Sequence, residues 1–217
     1  MGVWTAYIAS AILYNLQILP DILLCGSLML GILLANQSVL VLAAAAISSQ
    51  ILTSTVGRLM LKYAPDGAVI RSSLDMCTGG YIGKSWARLL DMGTNDLWSP
   101  RAPSLYMSAL GFFAGWGGAL QQLYKEEIDA GIVSRTTMIA CGVITAVIIL
   151  LALIARYAAG CESVVGMAGG LVMGGVVGYF LAIALGFATD RRATNIWGIP
   201  LLRDRINAGA AVYVCPK

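Results

Sequence analysis

The chain has 217 residues, of which 59% are hydrophobic and only 12% are charged, whereas a soluble domain usually carries about 25% charged residues. All 14 basic and 11 acidic side chains fall outside six long apolar stretches. A helix in such a stretch is apolar on every face, which suits lipid and not water. The sequence therefore predicts an all-α, multi-pass membrane protein and excludes an ordinary soluble domain.

The composition also excludes several kinds of chemistry. The chain contains no histidine, which rules out histidine-based catalytic triads and histidine metal sites. Its five cysteines are scattered without a CxxC pair, so their spacing argues against zinc and iron–sulfur sites. A net charge of +3 is too small and dispersed for nucleic-acid binding. We expect no enzymatic activity, no cofactor, no metal and no nucleic-acid partner.

The apolar stretches divide the chain into four regions. Residues 1–61 form an N-terminal hydrophobic region with three short predicted spans, divided at Pro20-Asp21 and at residues 36–38. A polar loop follows at residues 62–104, then a glycine-rich, three-span bundle at 105–188 and a polar tail at 189–217. The result is a transmembrane bundle of about six spans, or five if the first helix is long and kinked. The predicted spans are residues 3–19, 22–35, 38–57, 105–124, 136–155 and 164–188.

Two polar segments flank the predicted spans. Residues 81–90 place Trp86 on an apolar helical face opposite Lys84 and Arg88, which favours a helix lying in the membrane interface. A small helix packed on the protein's own loops is the alternative. Residues 125–129 form a charged hairpin that we expect to be solvated.

Glycines at four-residue spacing give the strongest local signal. Residues four apart share one face of a helix, and a face without side chains lets another helix approach closely in lipid. The row predicts a helix-packing surface, whose partner is another helix of this chain or another subunit. Its members are Gly166, Gly170, Gly174 and Gly178 in the last span and Gly111 and Gly115 in the fourth.

A transporter or channel is the alternative to a structural role. Transport usually depends on ionisable groups at mid-membrane depth. Asp21 is the only carboxylate in residues 1–61, and its position beside Pro20 favours a hairpin tip. The serine and threonine side chains of residues 48–55 are of a kind that more often bonds between helices than lines a substrate path.

The tail is too apolar for a disordered, charged segment. Trp197 follows the last span closely enough to anchor the chain at the interface. Arg203, Asp204 and Arg205 offer charge-assisted hydrogen bonds to a neighbouring protein, and residues 210–214 suit strand addition. The alternative is that the tail folds back on the protein's own loops.

Four segments carry a resemblance to a known group of proteins. They are residues 99–104 (SPRAPS), 121–127 (QQLYKEE), 191–200 (RRATNIWGIP) and 212–217 (VYVCPK). The chain resembles multi-pass membrane proteins of large nucleocytoplasmic DNA viruses that infect algae (phycodnavirus-like), whose icosahedral capsid encloses a lipid membrane. The resemblance implies a structural protein of the virion's internal membrane, with the lipid bilayer and capsid or other membrane proteins as partners.

Overall fold

The computed structural model describes residues 2–63, 103–132, 134–189 and 191–196, and within these ranges it contains helices and no strand. The predicted interfacial helix at residues 81–90 lies outside the described residues, as does the tail beyond residue 196. The helices are α1 (Gly2–Leu33), α2 (Gln37–Tyr63), α3 (Leu105–Leu123), α4 (Lys125–Asp129), α5 (Arg135–Ala158), α6 (Val164–Ala188) and the 3₁₀ turn Arg192–Thr194.

Three helices in the described part of the chain are long and apolar enough to cross a membrane. They are the segment Gln37–Val56 of α2, the whole of α5 (Arg135–Ala158) and the whole of α6 (Val164–Ala188). The protein is therefore membrane-associated and all-helical where it is described. The three helices are fewer than the six spans that the apolar stretches predicted.

The main correction concerns the first two predicted spans, which form one continuous helix. Pro20 lies inside α1, and Asp21 is a helical residue rather than the tip of a hairpin. A proline has no N–H to donate to the carbonyl four residues earlier, which here belongs to Leu16. The hydroxyl of Tyr106 on α3 donates to that carbonyl. Because a neighbouring helix satisfies the freed oxygen, the proline does not end α1.

A tight turn joins α1 to α2. Asn36 precedes α2, and its side-chain oxygen accepts hydrogen bonds from the backbone N–H groups of Ser38 and Val39. At the turn, Gly31 of α1 faces Leu40 of α2 closely enough that a Cβ on the glycine would collide with the leucine side chain. The two helices therefore form an antiparallel hairpin.

The helix directions alternate along the chain among the five long helices. Ser104, at the start of α3, lies against Gly170 of α6. Phe112, two turns further along α3, lies against Gly178, two turns further along α6. These two helices are therefore parallel, and α5, which connects the end of α3 to the start of α6, runs the opposite way.

Helix α3 lies at the centre of the bundle and contacts α1, α2, α5 and α6. Its side chains contribute to both apolar cores. One core joins Leu42 and Ala46 of α2 to Phe112, Trp116 and Leu120 of α3, and the other joins Tyr106, Met107 and Leu110 of α3 to Ala152 of α5 and Met167 of α6.

The outer surface of the bundle is apolar. On α5, the side chains on this surface are 49–58% exposed, an arrangement that fits contact with lipid rather than water. They are Ile139, Val143, Val147, Leu150 and Ile154.

We predict that Tyr106→Phe destabilises the protein by about 1–3 kcal/mol, because it leaves the Leu16 carbonyl without its donor. In a Pro20→Ala background the same change should cost much less, because the N–H of the new alanine can bond to Leu16. Thermal unfolding in detergent of the four proteins in this double-mutant cycle measures the difference. An equal cost of Tyr106→Phe in both backgrounds would contradict the explanation.

Candidate functional site

The backbones of α3 and α6 touch along a seam without intervening side chains. A Cβ on Gly174 would lie under 3.0 Å from the carbonyl oxygen of Ser108, a separation that real Cβ atoms essentially never show. Gly170 and Gly178 face the carbonyl oxygens of Ser104 and Phe112 in the same way. Successive turns of α3 thus present a carbonyl oxygen to a glycine of α6.

The contact is reciprocal. Gly111 and Gly115 of α3 face the carbonyl oxygens of Leu171 and Gly175 of α6, again too closely for a Cβ. Such approaches allow Cα–H···O contacts and dense packing, the attractions that hold helices together in lipid. We call this surface, formed by Gly111, Gly115, Gly170, Gly174 and Gly178, the glycine seam.

The seam begins at two capped helix ends. The Ser104 side chain accepts a hydrogen bond from the Met107 N–H (3.2 Å) and caps α3, and Ser163 caps α6 by accepting from the Gly166 N–H (3.1 Å). The backbone N–H of Ser104 also donates to the Gly166 carbonyl at 3.0 Å. Gly166, the remaining predicted packing glycine, therefore lies at the start of the seam, where its carbonyl joins the two helix starts by a backbone hydrogen bond.

A hydroxyl pair links α2 to the seam. Thr53 and Ser108 are fully buried, and their side-chain oxygens lie 2.7 Å apart. Thr53 donates its hydroxyl proton to the Ser49 carbonyl (2.9 Å). Ser108 is therefore the donor in the hydrogen bond between the two hydroxyls. Ser108 therefore bonds to α2 through its side chain, and its carbonyl oxygen lies against Gly174 of α6.

A buried ion pair lies at the end of the bundle where α3 begins. The Arg156 guanidinium is 2.6 Å from the Glu162 carboxylate, and the two side chains are 9% and 13% exposed. The guanidinium also lies over the Tyr106 ring, 4.4 Å from its centre, a favourable cation–π arrangement. This cluster joins α5, α3 and the connection that leads into α6.

A second ion pair lies at the opposite end and corrects the expected solvated hairpin. Lys125, Glu126 and Asp129 are exposed, but Glu127 is 1% exposed. The Glu127 carboxylate is 3.3 Å from Arg191, which follows α6 and also approaches Glu126 at 3.8 Å. This ion pair was not predicted from the sequence, because Glu127 and Arg191 lie far apart in the chain.

The residues just after α6 pack on the bundle. Tyr124 donates a hydrogen bond to the Arg191 carbonyl (2.8 Å), and burial raises the pKa of the Tyr124 hydroxyl above 10.0. Ser38, at the start of α2, donates to the Arg192 carbonyl (2.8 Å). Arg191 itself adopts a left-handed conformation with φ of 66°, which turns the chain back over the helix ends. Residues 191–196 are thus held by α2, α3 and α4.

The remaining predicted site residues lie outside the described part of the chain. They are Trp86, Trp197, Arg203, Asp204 and Arg205. Within the described residues, no three carboxylate or thiol side chains form a group that could hold a metal ion.

The chain matches no protein-family model, no curated protein and no solved structure. Functional inference therefore starts from the packing and the buried polar groups of this bundle.

We predict that Gly174→Ala destabilises the protein by about 1–3 kcal/mol, because the new methyl group collides with a backbone oxygen that cannot rotate away. Gly169→Ala is the matched control, since a Cβ there meets nothing within 4 Å. The control should be neutral or slightly stabilising, because alanine favours the helix. Melting temperatures of the two variants are measured in the same detergent. Equal melting temperatures would contradict the close backbone contact at Gly174.

We also predict that Glu127→Gln lowers the stability by about 2 kcal/mol, because it removes a charged hydrogen-bond partner from Arg191. Glu126→Gln changes a carboxylate that is 74% exposed and should cost less than about 0.5 kcal/mol. Chemical denaturation of the two variants measures the costs. If both variants lose the same stability, the buried pair does not hold the end of α6.

Proposed function

We propose that the protein is a structural membrane protein of a viral internal membrane that joins the bilayer to a capsid protein network. The observation that carries the proposal is the glycine seam. Backbone contact along α3 and α6 fills the centre of the bundle, and each end has an ion pair whose carboxylate is largely buried. This arrangement makes a rigid membrane anchor, and the polar segments outside the bundle are left to bind partners.

The proposal includes five membrane crossings, by α1, α2, α3, α5 and α6. These helices lie side by side in alternating directions, so a bilayer that contains α2, α5 and α6 also surrounds α1 and α3. Residues 64–102 and the tail then belong to opposite faces of the membrane. A protein with partner-binding segments on both faces can connect the bilayer to a shell on one side and to other components on the other.

The tail is the segment that we propose binds the capsid network. Its first residues are fixed on the bundle by Glu127 and Ser38, so the segment that follows leaves the membrane at a defined position. Trp197 and the charged run from Arg203 to Arg205 then suit an interfacial anchor and a protein partner. The viral setting is supported by the resemblance of four sequence segments to membrane proteins of algal DNA viruses.

A small transporter or channel is the second candidate. The observation that favours it is the polar set inside the bundle, where Ser49, Thr53 and Ser108 are fully buried and Asp21 is part of a long helix. Solute flux into vesicles that contain the purified protein distinguishes the two functions. A structural anchor gives no flux above protein-free vesicles.

Five crossings predict that the two termini lie on opposite faces of the membrane. Peptide tags fused to the N-terminus and, separately, to the C-terminus can be tested with protease in sealed vesicles of one orientation. One tag should be digested and the other protected. If both tags are digested or both are protected, the number of crossings is even and the proposed topology is contradicted.

The proposed function predicts that deleting residues 206–217 leaves the bundle folded but removes the protein from assembled virus particles. The melting temperature in detergent and quantitative mass spectrometry of purified particles measure the two effects. A tail of equal length and scrambled sequence is the control for chain length and should also be lost from particles. If the deleted protein is retained at the parental level, the tail does not bind the capsid network.

A further inference from the structure

Cys161 lies in the short connection between α5 and α6 and forms a disulfide bond. Its side chain is buried, with 2% of its surface exposed. The other described cysteines, Cys25 of α1 and Cys141 of α5, are free. Because the chain has five cysteines, the partner of Cys161 within the chain is either Cys77 or Cys215.

The connection holds Cys161 in a fixed position. Gly160 adopts a left-handed conformation with φ of 65°, and its N–H donates to the Tyr157 carbonyl at 3.0 Å. The Cys161 N–H donates to the Arg156 carbonyl, also at 3.0 Å, which completes the Schellman motif that ends α5. The next residue, Glu162, pairs with Arg156 at 2.6 Å. Cys161 is therefore fixed at the end of the bundle where α3 and α6 begin, which we call the entry end.

The chain segment that contains Cys77 starts and finishes at the entry end. It follows Tyr63, the last residue of α2, and leads to Ser104 at the start of α3. The Ser104 N–H donates to the carbonyl of Gly166, in the first turn of α6, at 3.0 Å. A bond between Cys77 and Cys161 therefore joins two connections on one side of the membrane.

The segment that contains Cys215 starts at the opposite end. The Ser38 hydroxyl holds the Arg192 carbonyl there at 2.8 Å. Between the two ends lies α6, whose 25 residues extend about 37 Å at 1.5 Å per residue and are apolar enough to cross a membrane. To reach Cys161, the tail would have to carry the charges of residues 203–205 and its own backbone polar groups through the hydrocarbon, which is strongly unfavourable.

We infer that Cys161 pairs with Cys77, and that the entry end of the protein faces an oxidising compartment. Disulfide bonds form and persist in such compartments and are rare in the cytosol. The bond gives the protein an orientation, with the N-terminus on the oxidising side and the tail on the other. This inference depends on α6 crossing the membrane. It goes beyond the proposed structural role and does not require it.

The bond forms by thiol–disulfide exchange with an oxidoreductase that carries a disulfide. One cysteine thiolate attacks that disulfide, and the second cysteine then displaces the oxidoreductase and closes the pair. The two electrons and two protons that leave the cysteines end on the two thiols of the oxidoreductase. Once the protein has folded, burial of Cys161 shields the bond from reductants, because exposed disulfides are the more easily reduced ones.

Mass spectrometry of the full-length protein from the membranes of the cells that make it tests the pairing. N-ethylmaleimide in denaturing detergent, added at lysis, alkylates the free thiols and prevents exchange. Digestion without reductant should give a linked product that contains Cys77 and Cys161 and separates on reduction. A linked product of Cys161 and Cys215, or alkylated Cys161 in the parent protein, would overturn the inference.

Two serine variants give an independent check. Cys77→Ser should leave Cys161 as a free thiol that gains a maleimide group. It should also lower the melting temperature of the oxidised protein, whereas parent and variant should melt together in reductant. Cys215→Ser is the matched control and should keep both the linked product and the parental melting temperature. If Cys161 stays unalkylated in Cys77→Ser, the assigned pairing is wrong.

Sealed microsomes test the orientation, because their interior is the oxidising lumen. Protease added outside the vesicles should digest a peptide tag at the C-terminus and leave a tag at the N-terminus intact. The reverse pattern would place the entry end on the reducing side and would overturn the orientation.

Discussion

The close approach of the α3 and α6 backbones determines how the other helices of the bundle pack. In lipid, hydrophobic burial does not distinguish a neighbouring helix from an acyl chain, so association depends on dispersion contacts and hydrogen bonds. Both require short distances. The row of glycines provides them by letting Gly174 and its neighbours lie directly on the carbonyl oxygens of α3.

The seam fixes the positions of the other helices. Because α3 and α6 are parallel and in contact, α5 must return along the outside, where most of its surface faces outward. The start of α6 brings Glu162 to Arg156, and its end brings Arg191 to Glu127. Ser108 extends the arrangement to α2 through Thr53. A change in the register between α3 and α6 would therefore separate the partners at both ends of the bundle.

The glycine row could be read from the sequence because its spacing of four residues reflects the helix itself, with no knowledge of the partner. The number of helices could not be predicted from the sequence in this way. Pro20 and Asp21 have the composition of a turn, and only the donor hydroxyl of Tyr106, eighty-six residues later in the chain, explains why the helix continues. Glu127 was missed for the same reason, since its local sequence is that of a solvated hairpin.

The polar groups inside the bundle divide into two kinds. Those at the two ends are charged, paired and held between helices, as expected of groups that stabilise a bundle. Those deeper in the bundle, Ser49, Thr53 and Ser108, are uncharged and fully buried. The hydrogen bond between Ser108 and Thr53 connects α2 to the seam.

The most direct test of the seam is a solid-state NMR measurement on the protein in lipid bilayers, with ¹³C in glycine α-carbons and serine carbonyl carbons. The structure predicts a through-space cross-peak between the Gly174 α-carbon and the Ser108 carbonyl carbon. Ser108→Ala should remove it without moving the backbone. The neighbouring residues Gly26 and Ser27 should give a cross-peak in any case and serve as the internal control. If that cross-peak is present and the Gly174–Ser108 cross-peak is absent from the parent protein, α3 and α6 are not in backbone contact.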